Sequence, residues 1–278
     1  MAQKKLFIVQ YSEELDKFQL LEVDDPQLLP NFEIPIIDAP HQSNIRLSSH
    51  FIDTEKVQCS FPNAQIFPNP HNAVVAPVGY GLLYNFHTVA SPNFAPAGWH
   101  VPTDEELSLL VSNLGGAAIA GGSLKEIGFE HWAEPNTEAT NETGFSFPGG
   151  GYRSLSGAFR MLTYHGFIWT LSEYSETNSI AKYFSFNFGT VSTSNYSKNR
   201  AASVRLIKDD DIDPESLIDI DGNIYDTVKI GDQVWLAANW KCTKYNNGSD
   251  IPNITDGTEW AALETPGYCA YNNDLAIV

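Results

Sequence analysis

The residues most open to a chemical reading lie in short polar runs. Asp219-Ile220-Asp221-Gly222-Asn223 gathers oxygen ligands around a glycine turn, the arrangement a hard cation requires. Its spacing departs from an EF-hand loop, which needs glycine at the sixth position and a bidentate Glu at the twelfth, so it reads as a solvated β-turn leading into NIYDTV. Asp209, Asp210, Asp211 and Asp213 read likewise as a solvated linker. Phe147-Pro148-Gly149-Gly150-Gly151-Tyr152-Arg153 lacks the Gly-Lys-Ser/Thr ending of a phosphate loop and reads as a strand closely approached by other backbone. The seven histidines (His41, His50, His71, His87, His100, His131, His165) show no i,i+4 pair for a helical metal site. No Gly-x-Ser-x-Gly elbow offers an acyl-transfer nucleophile. Paired carboxylates that hydrolyse glycosides stand about 5–9 Å apart, a separation that sequence alone does not place. Cys59, Cys242 and Cys269, without Cys-x-x-Cys spacing, read as isolated thiols rather than as a disulfide framework or zinc knuckle. No catalytic residue, cofactor or metal is expected.

The composition most suited to binding lies in Ser172–Arg200, where Ser, Thr, Asn and Tyr make up 17 of 29 residues. Tyr supplies rigid amphipathic contact area while Ser and Asn supply adaptable hydrogen bonds, as in a paratope. An ordinary polar face of antiparallel strands has the same composition. The candidate ligand contacts are Tyr174, Asn178, Tyr183, Asn187, Asn195, Tyr196 and Asn199. Asn141, Asn195, Asn247 and Asn253 begin Asn-x-Ser/Thr sequons, read as incidental because no signal peptide directs the chain to glycosylation.

These residues need elements to position them. LFIVQY and KFQLLEV are β-prone runs separated by the polar turn Ser12–Asp16 and predict a hairpin. Eight of the sixteen prolines fall in residues 1–77, so an extended arm follows, lying against a partner or acting as a flexible linker. At Thr103 the Thr-x-x-Glu capping box starts a helix whose Leu107, Leu110, Val111 and Leu114 share a face, and Gly115-Gly116 ends it. A second helical stretch is expected near Ser123–Ile127. FSFPGG, GYRSL, GAFRML, GFIWTLS, AKYFSFNF and AASVRLIK read as strands, with breaks at Ser156-Gly157 and Gly189-Thr190. Residues 209–278 carry fourteen acids and three lysines, net −11. They predict strands NIYDTVKI and QVWLAANW, a short capped helix in DGTEWAAL, and an apolar tail that packs rather than frays. The fold class is α+β: an antiparallel sheet with one or two short helices, plus the hairpin and arm.

With 278 residues the chain has ample length for a core, and a 42% hydrophobic, 12% aromatic composition excludes disorder. A net charge of −18 repels phosphate backbones and anionic headgroups, so neither nucleic acid nor membrane insertion is expected. The first residues contain only a four-residue apolar run, short of the ~7–15 of a signal peptide. No segment approaches the ~18 apolar residues of a membrane span.

GYGLLYNFHTV, PAGWHVPTDEEL, GGSLKEIG, NETGFSFPGGGYR, WTLSEYS and SVRLIKD resemble, in order, motifs of the Fibrobacter succinogenes major paralogous domain family over residues 78–208. Residues 219–278, with DIDGNIYDTVKIGDQVWLAANWKCTKYNNG and IPNITDGTEWAALETPGYCAYNND, are similar to that family's amino-terminal half, so the halves stand in reverse order. The resemblance implies a C-type-lectin-like fold, whose first and last strands lie close together. On that reading SVRLIKD is the family's last strand, NIYDTVKI its first, and residues 209–217 a loop joining them. A circular permutation then forms one domain over 78–278, from parts 78–208 and 218–278, and brings Val278 near Val78. Exchange of the carboxyl half with a second subunit is the alternative.

Relatives of this fold include carbohydrate binders, diversified display proteins and formylglycine-generating enzymes. Glu134-Pro135-Asn136 is similar to the sugar-binding triplet of calcium-dependent lectins. Its companion Trp-Asn-Asp is absent, Trp169-Thr170-Leu171 standing near that place, and the triplet reads as coincidence. The enzyme branch depends on paired cysteines that this spacing does not supply. The resemblance thus implies non-enzymatic binding. The expectation is a virion surface protein of a phage, capsid or tail fibre, made in the cytoplasm without a signal peptide. Residues 1–77 anchor it to a virion or other structural protein, and the head, expected to be homo-oligomeric, recognises a host-surface glycan or protein. A capsid decoration or assembly protein without receptor binding is the alternative.

Overall fold

The computed structural model describes residues 6–12, 17–23, 79–210 and 216–278. β1 (Leu6–Ser12) and β2 (Lys17–Val23) form a unit of their own, paired antiparallel from Leu6 opposite Val23 to Ser12 opposite Lys17. The expected arm, Cys59, and Asp211 and Asp213 of the acidic linker lie outside the described residues.

The second unit opens with β3 (Leu83–Asn85), α1 (Phe86–Val89), β4 (Trp99–His100), α2 (Asp104–Asn113) and α3 (Ala120–Leu124). Then come β5 (Gly150–Arg153), β6 (Phe159–Leu162), β7 (His165–Glu173), β8 (Asn178–Ser185), β9 (Val191–Ser197), β10 (Ala201–Ala202) and β11 (Ile207–Lys208). β12 (Ser216–Ile218), β13 (Ile224–Ile230), β14 (Gln233–Leu236), α4 (Gly257–Ala261) and β15 (Tyr268–Cys269) complete it. One sheet runs β15-β3-β10-β5-β7-β8-β9, with β6 beside β5; the other runs β12-β13-β14-β11-β4. Both sheets draw strands from 79–210 and from 216–278, and the architecture is α+β with mixed sheets.

Local chemistry accounts for the helices. Thr103 accepts from the Glu106 amide while the Glu106 carboxylate accepts from the Thr103 amide, closing the capping box of α2. Leu107, Leu110 and Val111 are buried, and Gly115 and Gly116, at φ +90° and +96°, turn the chain away. α3 lies three residues earlier than Ser123–Ile127, because Lys125 turns extended and bridges Phe147. Asp256 caps α4 by accepting from Thr258 and Glu259 amides at 2.8 Å.

Two expectations are corrected. The larger sheet is not purely antiparallel: β5 meets β7 in parallel, Gly151 opposite Gly166. AASVRLIK is not one strand but β10 and β11, because Ser203–Leu206 cross between the sheets. The Ser203 carbonyl accepts from Trp169 and those of Val204 and Leu206 from Trp240 and Leu236, at 2.9–3.1 Å. β11 accordingly pairs with β14, Ile207 opposite Trp235, and not with β13.

Five tryptophans, Trp132, Trp169, Trp235, Trp240 and Trp260, are fully buried in three apolar clusters. Two buried arginines tie the later segment to the earlier one. Arg205 donates to the Leu236 carbonyl at 2.9 Å, to Asn239 at 3.1 Å and to the Phe145 carbonyl, and burial pushes its pKa down to about 9. Ile277 and Val278 pack against the clusters, and the Tyr80 amide donates to Ile277 at 2.8 Å. Among the described residues no helix is long and apolar enough to cross a membrane.

Candidate binding face

The meander β7-β8-β9 carries the polar segment, and its register decides what each residue faces. Phe167 stands opposite Tyr183, Tyr183 opposite Ser192, Ala181 opposite Ser194 and Ser179 opposite Tyr196. Opposed residues share a face and alternate residues along a strand share it too. His165, Phe167, Tyr183 and Tyr196 therefore lie on one side of the sheet. The other side, with Ile168, Phe184 and Val191, packs in the cluster that holds α2 residues Leu107 and Leu110. Lys182, also on that side, is 2.6 Å from Asp104 and bonds Ser108 at 3.0 Å.

On the first side an aromatic group forms around Phe167. Tyr152 meets Phe167 edge-on at 5.1 Å, Tyr196 edge-on at 5.5 Å, and Tyr183 stacks on it at 5.8 Å. His165 stacks on Phe167 at 6.0 Å. The Arg200 guanidinium stands between two rings, 4.1 Å from the centre of Tyr152 and 4.0 Å from that of Tyr196. Phe167 is buried and the other five side chains are half-buried. Burial lowers the pKa of His165 and Arg200 and raises that of Tyr196. Tyr152, Tyr183 and Tyr196 pack inward against the core cluster that holds Phe167, Trp169 and Ala181, and their half-buried remainder combines with His165 and Arg200 to offer hydroxyl, imidazole and guanidinium donors.

The seven sequence candidates do not form one patch. Tyr183 and Tyr196 belong to the aromatic face. Asn195 and Asn178 lie on the opposite side, opposite Ile180 and Ser197 respectively. Tyr174, 64% exposed, sits in the β7–β8 turn, and Asn187 follows β8, where it accepts from the Ser185 hydroxyl at 2.6 Å. Asn199 bonds His87 at 2.9 Å beside a shallow cleft of about 390 Å³ whose lining includes His87, Glu173, Glu176, Lys198 and Glu264. Tyr152, His165, Phe167 and Arg200 were not among the candidates. Phe167 and Tyr183 stand in the predicted strands GFIWTLS and AKYFSFNF, but it is the β7–β8 register that sets them opposite each other, and Tyr152 joins only through long-range pairing.

The other motifs resolve into structural parts. The Asp219 carboxylate accepts from the amides of Asp221 and Asn223, from the Asn223 side chain and from Tyr225, all at 2.8–2.9 Å, so its oxygens hold a turn. Asp221 accepts from the Thr243 amide and hydroxyl at 2.6 and 2.8 Å. A side chain at Gly151 would strike the Arg160 carbonyl, the close backbone approach expected of the glycine run. In Glu134-Pro135-Asn136 the asparagine is buried and donates to the Glu126 and Gly128 carbonyls at 2.8 and 2.9 Å. Cys242 and Cys269 are buried free thiols, each pushed up to about 12 by burial.

No curated protein and no solved structure matches the chain. One family model does: that of the Fibrobacter succinogenes major domain, over residues 44–208. The match covers every residue of the aromatic face and stops at the last residue of β11. The chain belongs to the Fibrobacter succinogenes major domain family.

Proposed function

We propose that this protein is a non-enzymatic binding module of C-type-lectin-like fold, displayed on a phage virion as part of a capsid or tail fibre. It recognises a host-surface glycan or protein. The observation that carries this reading is Arg200 held between Tyr152 and Tyr196 on a face that also presents Tyr183 and His165. Rings fixed by a sheet lose little conformational freedom on contact, and the guanidinium supplies directed donors at their margin. Neither described thiol favours a nucleophilic role, since at about 12 each stays protonated at neutral pH.

Circular permutation is part of the proposal. Its support is that both sheets combine strands from the two parts and that Ile277 is bonded to Tyr80. In the same reading residues 1–77 anchor the protein to another virion component, and the assembly is homo-oligomeric.

The test replaces Tyr183 and Tyr196 with Ala in the full chain and measures adsorption to host cells and to an array of surface glycans. At least a tenfold loss, with unchanged far-UV circular dichroism, is expected. Undiminished adsorption by a folded variant overturns recognition through this face. Absence of adsorption by the parent protein favours a decoration or assembly role instead.

A further inference from the structure

We infer that Glu126, Glu130 and His131 form a site for a divalent transition-metal ion of the zinc type, separate from the aromatic face. Both ends of the segment that carries them are fastened to one stretch of chain. The Glu126 amide donates to the Phe147 carbonyl at 3.0 Å, the Trp132 indole donates to the same carbonyl at 2.8 Å, and the Gly149 amide donates to His131 at 3.1 Å. Between these anchors the chain bulges out through Gly128, Phe129 and Glu130, which are exposed.

One ligand atom from each of the three side chains lies within 4.8 Å of the other two. Donors bound to a single zinc ion at ~2.0–2.2 Å stand roughly 3–4 Å apart, so small side-chain movements bring the three onto one ion. Glu126 and His131 are 8% and 9% exposed, whereas Glu130 faces solvent. The site is therefore preformed on its inner side and open on its outer side, where water can complete the coordination. His131 Nδ1 and Glu126 Oε2 share a hydrogen bond of 2.7 Å, and the Tyr80 ring and the imidazole pack in a T, their centres 4.7 Å apart. A metal ion would take the place of the shared proton while the ring stays oriented.

A buried asparagine holds the backbone of the same segment and keeps one unsatisfied acceptor. Asn136 is 5% exposed and spends its amide nitrogen on the carbonyls of Glu126 and Gly128, while its Oδ1 is buried with no hydrogen-bond partner. An enclosed acceptor without a donor is the kind of group that a bound ion or its water satisfies. Glu126 is paired with His131 at 2.7 Å, a partner that is cationic only when protonated, and Glu130 brings a second carboxylate within 4.8 Å of both. One imidazole with two carboxylates suits zinc, whereas calcium prefers an all-oxygen shell.

The experiment titrates the chelator-stripped full chain with Zn²⁺ by calorimetry, and with Ca²⁺ in parallel. One zinc site is expected, weakened at least tenfold by Glu130→Gln and by His131→Gln. It should be unaffected by Glu134→Gln, an exposed carboxylate outside the trio. Glu130 is exposed, so its variant keeps the test open where His131→Gln fails to fold. X-ray absorption at the zinc edge should show oxygen and imidazole donors without sulfur. Equal zinc affinity in the parent and Glu130→Gln, a sulfur shell, or calcium bound as tightly as zinc overturns the proposal.

Discussion

The amide of Tyr80 and the carbonyl of Ile277 meet at 2.8 Å, closing a seam between the opening of the second unit and its last residues. Gly79 is part of that seam. A side chain built on it would stand 2.5 Å from the Val278 carbonyl carbon and 2.9 Å from its oxygen, both backbone atoms. Gly79→Ala is therefore expected to cost about 1–3 kcal/mol, the usual range for overpacking a site that cannot yield. The urea midpoint should fall without a change in slope. A midpoint equal to that of the parent would mean that the two segments are not packed in this way.

Arg153 fastens a second seam. Its guanidinium lies 4.7 Å from the ring of Phe159 and 4.6 Å from that of Trp260. It donates to the carbonyls of Gly157 at 2.9 Å, Ile254 at 2.5 Å and Thr255 at 3.0 Å. A lysine keeps the charge but has neither the planar fork nor the stacking surface, so Arg153→Lys leaves buried carbonyls without donors. The expected loss is about 2–4 kcal/mol, read by urea unfolding. A loss under about 0.5 kcal/mol would show that the fork is dispensable.

What the sequence makes legible is what neighbours in the chain decide. The α2 capping box, its buried Leu107 and Leu110, and the Asp256 cap of α4 depend on residues a few positions apart, and all are present. β9, whose Ser, Thr and Asn hide its alternation, is not among the strands that the sequence predicts; it is ordered by pairing with β8. The buried cations are illegible for the same reason. Lys125 donates to the carbonyls of Thr137, Ser185 and Phe188, which only the fold brings together. In the binding face, Tyr183 and Tyr196 stand out by composition, but Tyr152 reaches them across β5 and β7.

His100 should make stability pH-dependent. Its ring nitrogens lie 2.6 Å from Asp209 and 2.9 Å from Glu106. Burial opposes the charged ring, but hydrogen bonds to Asp209 and Glu106 outweigh it and raise the pKa above 6.5. The folded state thus holds this proton more tightly than the unfolded state. The stabilisation is complete below the unfolded value and is lost as pH rises through the folded one. All three groups are partly exposed, so solvent screening holds the effect to less than about 1 kcal/mol. Burial also works against the Glu106 carboxylate, yet bonds from Thr103 and His100 keep it below its usual range, so its own contribution fades only in acid. His100→Gln should lower the melting temperature near pH 6 more than near pH 8. An equal decrease at both would assign His100 a packing role alone.

The stack of Arg200 on Tyr152 and Tyr196 predicts a measurable coupling. At 4.1 and 4.0 Å from the two ring centres, the guanidinium is placed for cation–π attraction. Such contacts contribute about 0.5–2 kcal/mol, more as water is excluded. A double-mutant cycle of Arg200→Ala and Tyr152→Ala, read by urea unfolding, should give a coupling of about 1 kcal/mol. The cycle separates this attraction from the packing that either side chain makes alone. A coupling of that size means that Arg200 is held in place before any ligand arrives, so contact with a ligand costs little further ordering. A coupling near zero would mean that the side chain moves freely over the face, and the argument that it is a preorganised donor would fail.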